Sequence, residues 1–126
     1  YETPLIAAVD ADDPETRKAM LKLLIRHGAN VNMTFDHKTA LASAVYRWHP
    51  EAVKILMGAG AKPFCPWRRG SQVYTEGNGS LIGYARYQLR IYQGKLKKAK
   101  RKGQRESIKR YTDYTNRIRH IVRLLQ

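Results

Sequence analysis

The chain has 126 residues, of which 43% are hydrophobic and 27% charged, with one cysteine and a formal net charge of +14 at pH 7. This length and composition suit one folded domain with a modest core and are too short for two. The longest apolar runs are only a few residues, which excludes a helical membrane span, and a lone Cys65 excludes an internal disulfide and a thiolate metal site.

The first segment opens on "TPLIAAV" (3–9). Thr3 can cap a helix by accepting a backbone N–H, Pro4 fits the first helical position, and small Ala7 and Ala8 permit a close neighbour. A loop with Asp10, Asp12, Asp13 and Glu15 follows. Its D-x-D-D-x-E order lacks the glycine and span of a calcium loop, so these read as solvated acids favouring the next helix N-terminus. Pro14 stands near the start of a second helix, Leu21, Leu24 and Ile25 give that helix a buried stripe, and Gly28 ends it. The pattern then returns. "TALASAV" (39–45) echoes the first helix, and "AVKILMGAGAKP" (52–63) echoes "MLKLLIRHGANVN" (20–32), with Pro50 before it and Gly60 closing it.

Residues 63–79 form a long connection, punctuated by Pro63, Pro66, Gly70, Gly77 and Gly79, with Val73-Tyr74-Thr75 as a candidate strand. "GSLIGYA" (79–85) then repeats the helix start, with Ser80 in the Thr place. Its companion "IVRLL" (121–125) begins 41 residues after Ser80, whereas the matching motif of the second unit begins 13 after Thr39. The excess, 28 residues, is a folded insertion. Ala85, Leu89, Tyr92, Leu96 and Ala99 fall at helical spacing, as do Ile108, Tyr111, Thr115, Ile118, Val122 and Leu125, and Gly103 lies between them. The spacing predicts two long helices in an antiparallel hairpin, the first running from Ser80 to about Lys102 and spanning roughly 30–35 Å. "KLKKAKRKGQR" (95–105) is its tip.

The motif Thr3-Pro4-Leu5, Ala8, Leu23-Leu24, Gly28-Ala29-Asn30-Val31-Asn32 resembles the ankyrin repeat. Thr39-Ala40-Leu41, Ala44, Val53-Lys54-Ile55-Leu56, Gly60-Ala61 resembles it again, with Ala40 in place of the family's proline. The resemblance implies an all-α fold: a short solenoid of three helix-turn-helix units, roughly 1–36, 37–63 and 79–126, within a single domain covering 1–126. The enlarged finger 63–79 separates the last two units, and the C-terminal hairpin caps the stack. It also implies a non-catalytic protein-binding module that docks partners on finger tips and the exposed side of first helices. Mapped by position, those sites are Phe35, Asp36 and His37 in the first finger and Arg47 and Trp48 at the end of the third helix. Trp67, Arg68 and Arg69 lie in the large finger, and Arg86 and Arg90 on the first long helix. Trp and Arg are types that dominate interface energies.

No catalytic set accompanies these. The four histidines, His27, His37, His49 and His120, have no metal-ligand spacing, and no nucleophile elbow, phosphate loop or zinc helix motif occurs. No enzyme activity and no cofactor are expected. The charge is lopsided: residues 80–126 hold fourteen Lys and Arg against Glu106 and Asp113. Lys97, Lys98, Lys100, Arg101, Lys102, Arg105, Lys109 and Arg110 make the hairpin an electropositive prong. An acidic partner protein is the leading expectation, because a positive rim steers such a partner. A nucleic acid held through phosphates is the alternative, with Tyr84, Tyr87, Tyr92, Tyr111 and Tyr114 as potential base-stacking groups and Tyr92 and Tyr111 assigned to the core stripe. An anionic membrane fits less well, since no apolar wedge accompanies the lysines. The single thiol points to a reducing, intracellular setting, cytoplasmic or nuclear. A start at Tyr1 without Met reads as a fragment of a longer chain.

Overall fold

The computed structural model describes residues 3–63 and 80–126. Among them are six helices: α1 (Pro4–Val9), α2 (Pro14–Arg26), α3 (Ala40–Tyr46), α4 (Pro50–Gly58), α5 (Leu81–Lys102) and α6 (Arg105–Leu125). The all-α solenoid reading holds, and the expected strand at Val73–Thr75 falls outside the described residues, as do Cys65 and the finger residues Trp67, Arg68 and Arg69.

Local chemistry sets the helix boundaries. Thr3 Oγ1 accepts from Ile6 N at 3.2 Å, Thr39 Oγ1 from Ala42 N at 3.1 Å and Ser80 Oγ from Gly83 N at 3.0 Å. Three short hydroxyl side chains thus satisfy N–H groups that a helix start leaves without partners. Asp13 does the same for α2, accepting from Thr16 N at 3.0 Å and from the Thr16 hydroxyl at 2.7 Å. Helices α2, α4 and α5 are followed by Gly28, Gly60 and Gly103 at φ of 85°, 92° and 66°. Side chains rarely adopt that left-handed backbone, which is why glycine stands there.

The helices pack in two layers. Helices α1, α3 and α5 follow one another in the first, and α2, α4 and α6 in the second, each second-layer helix lying against its own first-layer partner. Ala8, Ala42, Ala44 and Ala52 are fully buried at the crossings, where a larger side chain would hold the helices apart. Leu21, Leu41, Leu56, Leu81, Ile118 and Ile121 fill the space between layers. The predicted hairpin is present, α5 against α6, and the reversal is confined to Gly103 and Gln104. Residues 95–102 are therefore the last two turns of α5 and not loop.

Candidate functional site

The first finger connects α2 to α3. Phe35 and Lys38 exchange two backbone hydrogen bonds of 2.9 Å, with Asp36 and His37 between them at φ of 49° and 58°. Two successive positive-φ residues make the turn that suits a tight hairpin. It holds Phe35 and His37 out to solvent, and Met33, 51% exposed, stands beside them. Asn32 fastens the finger's base to the next unit: its Oδ1 accepts from Lys62 N at 2.8 Å and its Nδ2 lies 3.4 Å from the Gly60 carbonyl.

At the end of α3, Tyr46 is exposed and stacks on Tyr84 of α5, ring centroids 6.2 Å apart. Arg47 is exposed and its Nε sits 2.6 Å from Asp10 Oδ1, tying the α1–α2 turn to the α3–α4 turn. Arg86 and Arg90, one helical turn apart on α5, are both exposed. The structure thus leaves Phe35, His37, Arg47, Arg86 and Arg90 accessible. Beside these residues the structure also exposes Met33 and Tyr46, which the sequence reading does not single out. Tyr46 ends the first-layer helix one place before Arg47, and that adjacency was the available signal.

Trp48 is placed differently. Its backbone is left-handed at φ 56°, which aims the indole at the hairpin. Tyr92 meets it edge-on at 4.9 Å between centroids and Tyr114 is tilted at 5.0 Å. Tyr111 completes the cluster, 5.9 Å from Tyr92. Such edge-to-face pairs add stability beyond the area they bury. The ring is taken up within the chain, so Trp48 pins the hairpin to the repeat. Of the tyrosines named as potential base-stacking groups, Tyr84 is 5% exposed, and half-buried Tyr92, Tyr111 and Tyr114 lean on one another.

Beneath this surface lies a polar joint. Arg17 is 4% exposed; its Nε and Nη2 donate to Glu51 Oε1 at 2.9 and 2.7 Å, and Nη1 donates to the Ala11 carbonyl at 2.6 Å. Burial works against the Glu51 carboxylate's charge, but hydrogen bonds from Arg17 and the backbone, with the Arg17 charge, outweigh it and hold its pKa below the ordinary range. Burial, and then the Arg17 charge, lower the pKa of neighbouring His49, so its imidazole favours the neutral form. Asp10, Ala11, Asp12, Arg17, Tyr46, Arg47, Trp48 and His49 line a small cleft here of about 370 Å³. Among the described residues, no group of three His, Cys, Asp or Glu could hold a metal ion.

All eight prong residues, Lys97, Lys98, Lys100, Arg101, Lys102, Arg105, Lys109 and Arg110, are exposed. Among the described residues none of them pairs with a carboxylate; Arg110 lies over the Tyr111 ring at 5.4 Å. No described helix is long and apolar enough to cross a membrane.

Paired helices closed by glycine, the Thr caps and the finger between pairs agree with the family comparison, in which the profile described as "Ankyrin repeats (3 copies)" matches residues 1–65. The chain belongs to the ankyrin repeat family. The matched span holds α1 to α4, so the hairpin lies beyond it. Ankyrin repeat domain-containing protein 63 of Mus musculus is 39% identical over 62 residues, 48% of this chain and 16% of that protein. The Homo sapiens protein of the same name gives the same identity and coverage. The chain therefore spans about a sixth of these curated relatives. No solved structure matches it. Ankyrin repeats are in general protein–protein interaction modules.

Proposed function

We propose that this ankyrin domain is a non-catalytic module that binds an acidic protein surface through its first finger and first-layer helices. Phe35 supplies an apolar anchor, and His37, Arg47, Arg86 and Arg90 surround it. The reading takes α5 and α6 as a third, elongated unit, with the division 1–36, 37–63 and 79–126. It adds Trp67, Arg68 and Arg69 of the intervening finger, which lie outside the described residues, and leaves Trp48 to the hairpin cluster. The observation that carries it is the set of exposed aromatic and arginine side chains on a family scaffold built for binding; a positive rim accelerates and selects an acidic partner. Acidic partners captured from this protein's source should be lost when Phe35→Ala is combined with Arg86→Glu and Arg90→Glu, and weakened by joint Trp67→Ala, Arg68→Ala and Arg69→Ala. Undiminished capture by both variants would refute this surface.

The prong supports a second reading, as a grip on nucleic-acid phosphates. Lys100, Arg101 and Lys102 favour the C-terminal end of α5, where the helix dipole is negative, so their charge has a purely local use. Arg105 opens α6, where the dipole is positive and a cation is disfavoured. Charge beyond what the helices need points to a ligand. With its tyrosines packed, the prong would read backbone and not bases. Mobility shift at two salt concentrations decides: affinity for duplex or single strands should fall steeply with salt, by a log–log slope of about −0.9 (duplex) for each phosphate neutralised. Absence of binding at low salt would end this reading.

A further inference from the structure

The second layer carries a feature that neither reading uses. Across α2, α4 and α6 runs a groove of about 710 Å³, floored by Pro50, Ile55 and Gly58 and rimmed by Lys18, Lys22, Lys54 and His120. Glu51 also lines it as a carboxylate; the Arg17 guanidinium 2.7 Å from its Oε1 balances that charge, so the lysines set the sign of the rim. Lys18 has one acid nearby, Glu15 at 3.7 Å.

The groove is a consequence of repeat register. Counting back from Gly28 and Gly60, Lys22 and Lys54 hold the same place, and Gly58 holds the place of Arg26. A glycine there leaves the floor open: a Cβ added at Gly58 meets nothing within 4 Å. On α6, buried Ile121, Val122 and Leu125 repeat the spacing of buried Ala52, Val53 and Leu56, which gives exposed Arg123 the Lys54 place. Lys22 and Lys54 thus stand at one register position on the groove rim, and Arg123 holds the equivalent position on α6, three residues after the lining residue His120 and outside the lining itself.

We propose that this groove binds an acidic amphipathic helix of a partner protein, laid across α2, α4 and α6. Packed helices lie about 8–10 Å apart, which sets the spacing of the three cations. Along an α-helix, residues seven apart lie on one face about 10 Å from each other. Carboxylates at every seventh position would meet Lys22, Lys54 and Arg123 in turn, while apolar residues between them cover Ile55 and Pro50 and enter the space above Gly58. Phosphates along a nucleic-acid strand are spaced more closely than packed helices, so they match this spacing less well. The site faces away from the first-layer surface, so its failure leaves that reading untouched.

The test uses the whole chain and a labelled synthetic helical peptide with Glu at every seventh position and Leu on the same face, read by fluorescence anisotropy. Lys22→Glu with Lys54→Glu should weaken binding about tenfold, as two rim attractions become repulsions. Gly58→Gln, which fills the floor without changing charge, should weaken it comparably. A peptide of the same composition with its Glu residues scrambled off the face should bind less tightly. Equal binding of the scrambled peptide would reveal a generic polyanion effect and overturn the proposal. So would unchanged affinity in the Gly58→Gln variant, whose folding is checked by circular dichroism, or a loss caused instead by Arg86→Glu with Arg90→Glu.

Discussion

Arg17→Met tests the polar joint between the first two helix pairs. The substitution keeps the aliphatic bulk and removes three hydrogen bonds, two to Glu51 and one to the Ala11 carbonyl. Breaking a fully buried ion pair by deleting one partner costs about 3–5 kcal/mol, because the other charge is left without compensation. The Glu51 side chain is 26% exposed and regains some water, so the expected loss is lower, about 2–3 kcal/mol. Glu51→Leu leaves the worse orphan, a guanidinium that is 4% exposed and cannot shed its proton, and should cost at least as much. Arg17→Met combined with Glu51→Leu removes both charges, and its cost should fall short of the summed single losses by about 1–3 kcal/mol. Urea unfolding followed by far-ultraviolet circular dichroism gives all three values. The acid limb is a second readout. A folded pKa below the unfolded one means the Glu51 contribution is complete above the ordinary value of 4.5 and fades as the pH falls below it. Arg17→Met should flatten that limb. A loss under about 0.5 kcal/mol, within the range of ordinary surface changes, or an acid limb unaltered by the substitution, would refute the joint as described.

His49 should contribute a separate step at milder acidity. Its lowered pKa places its stabilisation fully above the ordinary value of 6.5, with loss as the pH falls below it, and His49→Asn should remove that step. The same substitution supplies the side-chain cap that α4 lacks and should raise stability at pH 7 by about 0.5–1 kcal/mol in thermal or urea unfolding. Two glycines should respond oppositely to alanine: Gly103→Ala, at φ 66° in the hairpin turn, should cost about 1 kcal/mol. Gly58→Ala, at the last residue of α4 with open space around it, should gain up to about 0.4–1 kcal/mol. Asn32→Ala should cost about 1 kcal/mol by releasing Lys62 N and the Gly60 carbonyl, and hydrogen exchange should locate the loosening between Gly60 and Pro63.

What could be read from sequence was whatever repeats or has a short period. Thr3, Thr39 and Ser80 announce helix starts because a cap acts within three residues of itself, and glycines 28, 60 and 103 announce the ends for an equally local reason. The hairpin was legible because eleven residues kept one helical stripe through two helices. The joint was not. Arg17 lies on a helix otherwise rich in solvated charge, and its partner is 34 residues away; a period assigns a face to a side chain but does not say which polar groups meet across it. The groove above α4 was hidden for another reason. It depends on what is missing at Gly58, and a gap in a register has no residue type to mark it.

Trp48 shows how a segment distant in sequence can reassign a residue. By type it belongs among interface anchors. Here the long helices α5 and α6 bring Tyr92 and Tyr114 to within 5 Å of the ring. The left-handed backbone at Trp48, unfavourable for a bulky side chain, persists because that aromatic wall holds the ring in place. The hairpin thus has a structural role at its base, where tyrosines and Trp48 fix its angle to the repeat, and leaves its cations to the far end. A rigid base is what would let a charged tip act as a positioned surface: a prong free to swing would lose, in ordering entropy on binding, much of what its charges gain.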